Sequence, residues 1–307
     1  MPHNFAVERA DQVGRAIVLT LITIGVFGIQ DAVAKLLVQD YSPFQITMMR
    51  YWGFAAFALF LVARQAPLRQ ALRSRTPKLQ LLRGVLLMAD IWFFALALQS
   101  VPLGELQAIV IVYPLLVTVF AIPILGEKVG LFRFAAVGAG FIGALIIMRP
   151  GGVPLDWGAG FALASATLYA LYIVVTRKVA AIDSAATSMT YAALVGLVLS
   201  GIVGMFFWQN MGWTDVALVV VIMATTCAGH GLMTIALTMA PASVLQPFNY
   251  FSLPWAIVLS VVVFGQWIDA ISLLGAAVIV AAGLVVMARE RAKRVPKVGQ
   301  EALPAVE

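Results

Sequence analysis

Apolar residues are grouped in long blocks along the chain, and these blocks decide what the chain can fold into. A block of about 17 to 25 residues is the length that an α-helix needs to cross roughly 30 Å of hydrocarbon. Within lipid every backbone N–H and C=O group must be paired internally, and a helix does this by itself. The sequence lacks the short apolar–polar alternation that is typical of a transmembrane β-barrel. The blocks therefore predict an all-α integral membrane protein.

Composition agrees with this interpretation, since 62% of the side chains are apolar and only 11% are charged. A soluble domain carries about a quarter charged residues. Short turns separate the blocks, so no second folded domain is expected. The first block carries two charged residues and is followed by nine more, so we do not interpret it as a cleaved signal peptide. The ten predicted transmembrane helices span residues 14–36, 44–63, 79–99, 104–125, 130–148, 157–176, 185–207, 214–236, 243–263 and 269–288.

The positions of the basic residues predict the orientation of the chain. With the N-terminus inside, all of the 20 lysines and arginines except Lys35, Arg50 and Arg149 lie on the cytoplasmic side. This bias is the one that membrane insertion follows, so the net charge of +6 indicates topology and not nucleic-acid binding. We expect a multi-pass protein of the bacterial inner membrane, with cytoplasmic tails at 1–13 and 289–307.

The two halves of the sequence resemble each other at a constant offset. The segment from Ala97 to Glu127 aligns with the segment from Ala236 to Gln266, with an Ala-Leu pair, a proline and a Gly-acid or Gly-amide pair in register. Five spans in each half is an odd number, so the second half must enter the membrane upside down. This predicts two inverted-topology five-helix repeats, residues 14–148 and 149–288, an architecture that recurs in secondary transporters.

These motifs carry a resemblance to a known family. Leu125-Gly126-Glu127 follows an internal proline, Ala97 to Pro102 form the approach, and Phe264-Gly265-Gln266 repeat the ending. In these features the chain resembles the EamA-type drug/metabolite transporter superfamily over residues 14 to 288, with Gln266 where the family often has Glu. The resemblance implies a secondary transporter, and within the family it is nearest to bacterial exporters of aromatic amino acids.

Ionisable residues inside a span are costly and are candidates for function. Asp31 and Lys35 are four positions apart on the first span and can pair. Arg50 and Glu105 are expected at a similar depth towards the outer side. Such a network either locks three helices together, or acts as an outer gate and docking point for the charged groups of a zwitterion.

Asp90 stands apart from this network, near the centre of the third predicted span. The nearest basic residue in sequence is Arg83, about two helical turns away. We interpret Asp90 as a candidate for proton coupling. The alternative is a hydrogen bond between helices or simple contact with a water-filled cavity.

Pro114 and Pro254 lie near the middle of the fourth and ninth spans, which correspond in the two halves. Proline removes a helix hydrogen bond, and such breaks are tolerated at mid-depth where they line a cavity. We therefore predict two hinges beside a substrate-binding site, the alternative being ordinary helix packing. The candidate substrate-binding residues are Trp92, Tyr113, Tyr169, His230, Gln246, Asn249, Tyr250 and Trp255.

Other function classes find little support in the residues. No Gly-Lys-Ser phosphate loop is present, and His3 and His230 are the only histidines. No carboxylate pair occurs at helical spacing near mid-depth, which disfavours an intramembrane enzyme, and no charge ring or filter loop indicates a channel. The sequence thus predicts a transporter without metal or cofactor that exports amino acids, aromatic or otherwise apolar, by alternating access. Its partners are a small solute and membrane lipid, without nucleic acid, and one chain suffices. A same-fold exporter of another metabolite or drug is the alternative.

Overall fold

The computed structural model describes residues 2–65, 67–126, 130–148, 157–240 and 242–294. Within these ranges the chain is helical, with short connections. The helices are α1 (Pro2–Leu37), α2 (Pro43–Gln65), α3 (Leu68–Ala71), α4 (Pro77–Leu98), α5 (Leu103–Val110), α6 (Tyr113–Leu125), α7 (Leu131–Ile147), α8 (Trp157–Ala180), α9 (Ala185–Met205), α10 (Trp213–Met239), α11 (Ala242–Leu245), a 3₁₀ segment (Gln246–Phe251), α12 (Ser252–Phe264) and α13 (Ala270–Arg294).

The fold class predicted from the apolar blocks is confirmed. Nine segments of the described chain are long and apolar enough to cross a membrane. A further apolar helix, α7, has 17 residues, so the count of ten spans stays a prediction. The fourth predicted span is divided into two helical pieces, and the ninth is divided into α11, the 3₁₀ segment and α12, which a hydropathy pattern does not show.

Helical structure extends into both predicted tails. The first helix already begins at Pro2, although residues 1–13 were expected to form a polar tail, and the last helix continues to Arg294. Backbone hydrogen bonds within a helix need no lipid, so a helix can run past the apolar block into the polar flank. The rest of the C-terminal tail, and the turns at 127–129 and 149–152, lie outside the described residues.

The two halves contain a matching helical element beside the centre of the molecule. The helices α6 and α12 have 13 residues each, and each is capped by a glycine in the left-handed conformation. Gly126 has φ 70° and Gly265 has φ 64°, values that only glycine adopts at little cost. The glycines of the Gly-acid and Gly-amide pairs noted in the sequence are therefore the C-terminal caps of two equivalent helices.

Helices of the first half pack on helices of the second half. The pairs are α1 with α10, α4 with α8, α2 with α9 and α7 with α13. The apolar core runs between them and around the broken fourth span, where Leu103, Leu106, Ile109 and Leu115 are almost completely buried. This arrangement leaves the middle of the molecule lined by both halves.

A pair of glycines allows α7 and α13 to touch backbone to backbone. A Cβ on Gly143 would lie 2.7 Å from the carbonyl oxygen of Gly275, and a Cβ on Gly275 would lie 2.6 Å from that of Gly143. Small residues permit this close approach of transmembrane helices. We expect Gly143→Leu to lower the free energy of unfolding by about 1–3 kcal/mol, because the helices must separate.

The matched control is Gly138→Leu on the same helix, where an added Cβ meets nothing within 4 Å. Thermal aggregation of the purified protein in detergent, followed by size-exclusion chromatography, compares the two variants. Equal melting temperatures for both would show that the close approach of α7 and α13 contributes nothing to stability.

Two polar contacts, which we call the loop clasps, join the halves at helix ends. In the first clasp, the hydroxyl of Tyr41, between α1 and α2, donates to Asp215 at the start of α10, over 2.7 Å. In the second clasp, Asp183, between α8 and α9, accepts hydrogen bonds from Ser74 and Thr76 at the start of α4. Each clasp thus joins the loop after the first long helix of one half to the start of the third long helix of the other.

The second clasp is expected to weaken in acid. Burial raises the pKa of Asp183, but hydrogen bonds from Ser74, the backbone N–H of Arg75, Gln80 and Thr76 together outweigh it and lower the pKa to about 2. A carboxyl with a lowered pKa stabilises the fold above its ordinary value of 3.8, and this contribution is lost as the pH falls towards 2. Asp183→Asn should therefore speed amide hydrogen exchange over residues 74–80 at neutral pH, and the difference from wild type should shrink in acid. Asp40→Asn, in an exposed loop, is the control, and a pH-independent difference would contradict the expectation.

Candidate functional site

A cavity of about 330 Å³ lies between the two halves, and both broken spans reach it. We call it the central cavity. Apolar side chains such as Ile24, Phe94 and Ala256 form much of its wall, and polar groups interrupt them. A mostly apolar cavity with a few placed polar groups is the usual form of a small-molecule site. The polar and charged lining residues are Gln30, Asp31, Thr47, Arg50, Asp90, Gln107, Tyr113, Ser165, Tyr169, His230, Asn249 and Ser252.

The fourth and ninth spans are interrupted where they meet the central cavity. The fourth span stops at Val110 and resumes at Tyr113, and the ninth contains the 3₁₀ segment directly before α12. The sequence suggested that Pro114 and Pro254 each break a continuous helix. In the structure they do not. They lie in the first turn of the resumed helices, where an N–H has no intrahelical partner and proline costs little. The hinge role of the two prolines stays a prediction, and the interruptions themselves precede them.

Two hydrogen bonds join the interruptions across the cavity. The side-chain amide of Gln107, on α5, donates to the hydroxyl of Ser252 over 2.9 Å. The side chains of Tyr113 and Asn249 are hydrogen-bonded to each other. Each bond connects the fourth span, in the first half, to the ninth span, in the second half. A movement of one half relative to the other must change or break these bonds.

Aromatic rings stand on two sides of the central cavity. The rings of Tyr113 and Tyr169 meet edge to face with centroids 4.9 Å apart. His230 lies between Phe27 and Phe54, with ring centroids at 5.4 Å and 4.9 Å. Three residues singled out from the sequence, Tyr113, Tyr169 and His230, therefore lie together on the cavity wall. Such faces can hold a planar ring by stacking or edge contacts.

Two carboxyl groups and one guanidinium line the same cavity. Arg50, on α2, lies within electrostatic reach of both Asp31 and Asp90. The carboxyl of Asp31 is hydrogen-bonded to the side chain of Gln30, and Asp90 accepts a hydrogen bond from the Ser165 hydroxyl over 2.7 Å. The structure thus brings Asp90 together with two members of the network that the sequence placed nearer the outer side.

The other two members of that network lie elsewhere. The ammonium of Lys35 donates to the carbonyl oxygens of Leu98 and Val101, over 2.9 Å and 2.7 Å, at the end of α4. Glu105 acts electrostatically on Lys35, and the ring of Phe264 lies 5.6 Å from the ammonium. The expected pairing of Lys35 with Asp31 is replaced by these contacts, because free carbonyls at a helix end attract a cation. Lys35 therefore ties α1 to the end of α4 by hydrogen bonds.

Both tryptophans proposed for binding lie outside the lining of the central cavity. Trp92 faces α2, with its ring 5.4 Å from that of Phe44, and within the described chain its indole N–H has no hydrogen-bond partner. Trp255 donates to the carbonyl of Gly25 over 3.1 Å and so ties α12 to α1. Helical spacing alone could not tell which face of each helix these rings occupy.

Tyr250 is also directed away from the central cavity. It is 8% exposed, its hydroxyl packs against Gly283 on α13, and it lines a separate apolar groove on the outside of the 3₁₀ segment. The side chain of Gln246, which was proposed for binding, lies outside the described residues. Within the 3₁₀ segment, Asn249 is the residue that lines the central cavity.

Several lining residues were not predicted from the sequence. Gln30, Gln107, Ser165 and Ser252 each present a hydrogen-bonding group to the cavity or to one of its residues. Gln30 precedes Asp31, and Gln107 lies one turn before the break, so a search for uncharged polar residues near charges and breaks would have found both. Serines in apolar helices are common in packing, so Ser165 and Ser252 gave no separate signal.

Comparison with known proteins identifies relatives along the whole length of the described spans. The model of the EamA-like transporter family matches residues 14–149 and 156–288. A riboflavin transporter of Vibrio cholerae serotype O1 is 31% identical over 281 residues, which cover 85% of this chain and 89% of that protein. A riboflavin transporter of Rhizobium johnstonii is 29% identical over 299 residues, which cover 95% of this chain and 97% of that protein.

More distant relatives share the fold. An S-adenosylmethionine uptake transporter of Rickettsia prowazekii is 21% identical over 271 residues, covering 88% of this chain and 92% of that protein. One solved crystal structure superimposes with a TM-score of 0.63 at 19% identity, covering 91% of this chain and 98% of that one. At this identity the superposition bears on the fold alone.

Proposed function

The chain belongs to the EamA-like transporter family, in the drug/metabolite transporter superfamily, and we propose that it carries riboflavin or a closely related planar heteroaromatic metabolite through the central cavity. The observation that carries the proposal is the pair of aromatic walls, Tyr113 with Tyr169 and Phe27 with His230, in a mostly apolar cavity that also holds hydrogen-bonding groups. Two similar proteins that cover most of the chain are named riboflavin transporters. Membership of this family makes the protein a multi-pass membrane transporter and not an enzyme.

The chemistry of a flavin fits the groups that line the cavity. Its fused ring is planar and apolar on both faces, which suits the edges and faces of tyrosine, phenylalanine and histidine rings. Its imide edge and its ribityl hydroxyls donate and accept hydrogen bonds. Gln107, Asn249 and Ser252 offer partners for such groups beside the broken spans. A cavity of about 330 Å³ lies within the range of roughly 300–1,000 Å³ that small-molecule sites occupy.

The second candidate is export of an aromatic or other apolar amino acid, as the sequence predicted. It is favoured by one observation, the presence of Asp31, Asp90 and Arg50 in the same cavity as the aromatic walls. A zwitterion could place its ammonium on a carboxyl and its carboxylate on the guanidinium. A neutral flavin would make no such use of the charges. The two candidates therefore differ in whether Arg50 forms an ion pair with the solute.

Alternating access would proceed by movement of one half against the other around the central cavity. The bonds Gln107–Ser252 and Tyr113–Asn249 lie where this movement must be accommodated. We place the protein in the bacterial inner membrane with both termini cytoplasmic, since that orientation keeps most basic residues inside. All the polar groups of the cavity come from one chain, so a monomer would suffice.

The test is counterflow into proteoliposomes that are preloaded with unlabelled solute, with labelled riboflavin or labelled phenylalanine outside. Accumulation of riboflavin supports the first candidate, and accumulation of phenylalanine alone supports the second. Tyr169→Leu removes an aromatic wall and should weaken riboflavin binding about tenfold, equivalent to about 1.4 kcal/mol. The matched control is Tyr191→Leu, which also removes a phenol ring. Tyr191 lies outside the cavity, and its hydroxyl donates to the carbonyl oxygen of Leu72. Equal effects of the two substitutions would contradict the assignment of the wall.

A further inference from the structure

The charges in the central cavity do not balance when all of its acids and bases are ionised. Asp31 and Asp90 supply two carboxylates, and Arg50 supplies the only fixed positive charge among the described residues that line the cavity. An uncompensated charge inside a membrane protein costs several kcal/mol. Some positive species must therefore accompany the second carboxylate when the cavity is closed to water.

The surrounding helices bring no other lysine or arginine of the described chain to the cavity wall. Lys35 is held by the carbonyls at the end of α4, and Arg83 bonds the carbonyl of Ser188 and the side chain of Gln80. Neither of them lines the central cavity. The same is true of the other described basic residues on these helices, Arg15, Arg64, Lys78, Arg177 and Lys178. The other titratable groups near Asp90 carry no fixed positive charge; they are Tyr51, Tyr113, Tyr169, Tyr172, Tyr191, His230 and Glu105.

The contacts of the two carboxyls differ. The Asp31 carboxyl is hydrogen-bonded to the Gln30 side chain, whereas Asp90 accepts a hydrogen bond from the Ser165 hydroxyl over 2.7 Å. Arg50 acts on both carboxyls through space, so one positive charge serves two acids. A hydroxyl can donate to a carboxylate and can also accept from a carboxylic acid, so it serves Asp90 in either state.

We propose that Asp90, held by Ser165 in the cavity that Asp31 and Arg50 also line, is the binding site of one exchangeable proton that moves in step with the transported solute. The inference rests on the proposed function as a transporter of a neutral solute. On the side where the cavity is open, an O–H bond of a hydronium ion breaks as an O–H bond forms on the Asp90 carboxylate. When the cavity opens to the other side of the membrane, the O–H bond on Asp90 breaks and the proton forms hydronium with a water molecule there. No other bond changes.

A proton is favoured over a metal cation by the number of oxygen ligands at Asp90. Sodium-sized cations prefer several oxygen ligands at once, whereas Asp90 has the Ser165 hydroxyl beside it and the charges of Arg50 and Asp31 at a distance. Within the described residues, no group of three or more His, Cys, Asp or Glu side chains could hold a metal ion. One carboxyl with one hydroxyl is sufficient for a proton.

The first experiment needs no solute. Infrared difference spectra of the purified protein, recorded between alkaline and acidic buffer, should contain the C=O stretch of a protonated buried carboxyl. This band should be lost in Asp90→Asn and kept in Asp40→Asn, which changes an exposed loop aspartate. Ser165→Ala should shift the frequency of the band, because the hydrogen-bond partner of the carboxyl is removed. Loss of the band in Asp31→Asn but not in Asp90→Asn would overturn the assignment.

The second experiment measures coupling. Proteoliposomes are given a pH gradient while valinomycin and potassium hold the membrane potential at zero, and labelled riboflavin is followed. We expect accumulation driven by the gradient in wild type, complete loss of that accumulation in Asp90→Asn, and no change when sodium is replaced by choline. Accumulation that ignores the pH gradient, or that survives in Asp90→Asn, would overturn the proposal. If wild type shows no riboflavin counterflow at all, the solute assignment fails, and the infrared band still decides the proton site.

Discussion

Lys35→Met is expected to cause a large loss of stability. Lys35 is 4% exposed, and its ammonium donates to two carbonyl oxygens at the end of α4. Its removal takes this donor from the two carbonyls and one positive charge from beside Glu105. Removing one partner from a buried charged group costs about 3–5 kcal/mol, which is a large part of the stability of most proteins. We expect a low yield of monodisperse protein and a strongly lowered melting temperature in detergent.

The chain offers a matched control for this variant. Lys178 also donates to a helix-end carbonyl, that of Ile124, but its side chain is exposed. Lys178→Met should change stability by less than about 1 kcal/mol, since exposed charges are already solvated. The double variant Lys35→Met with Glu105→Gln should recover part of the loss, because the negative charge that acted on the lost ammonium is removed as well. A single Lys35→Met variant with wild-type stability would show that the hydrogen bonds of Lys35 to the end of α4 do not stabilise the fold.

Arg50→Gln is expected to cause a large loss of counterflow. Arg50 is the only fixed positive charge among the described lining residues, and it faces two carboxyls. Without it both acids lose their favourable charge, and a solute loses a strong hydrogen-bond donor. Hydrogen bonds to charged groups contribute about 1.5–3 kcal/mol, so the counterflow rate should fall about 10- to 100-fold. Folding should be kept, because the carboxyls can take up protons.

Two further substitutions separate the causes. Arg50→Lys keeps the charge but loses the planar fork of donors, and should recover transport only in part. Arg64→Gln lies at the other end of α2, where the guanidinium rests over the exposed ring of Phe60, and should transport normally. If Arg50→Gln matched wild type in counterflow of every solute tested, the charges of the cavity would have no part in transport.

The fold could be predicted because the membrane imposes a simple rule on the sequence. Every predicted span overlaps a helix, and most boundaries agree within a few residues. The breaks in the fourth and ninth spans were indicated by Pro114 and Pro254, but their positions were not. Proline is tolerated in the first turn of a helix, so it marks where a helix resumes and not where the preceding helix ends.

The candidate site was predicted only in part, for a physical reason. Charged residues in apolar spans are rare, so Asp31, Arg50 and Asp90 were visible in the sequence, and the structure brings them to one cavity. Aromatic residues are common on every face of a membrane helix, so their number does not show which face meets the cavity. Trp92 and Trp255 pack between helices, while Tyr113 and Tyr169 line the cavity. Which face of a helix meets the cavity depends on contacts between distant helices, which a single sequence does not specify.

The two carboxyls and the guanidinium of the central cavity all come from the first half of the chain. The second half contributes uncharged partners to the same cavity, such as Ser165, Asn249 and Ser252. The halves have diverged into an ionic half and a neutral half, although they keep the same helix caps at Gly126 and Gly265. A molecule assembled from two copies of the first half would confront like charges across its axis, and one assembled from two copies of the second would have no carboxyl or guanidinium in its cavity. Because of this division, we expect that neither half alone would form a working transporter as a symmetric dimer.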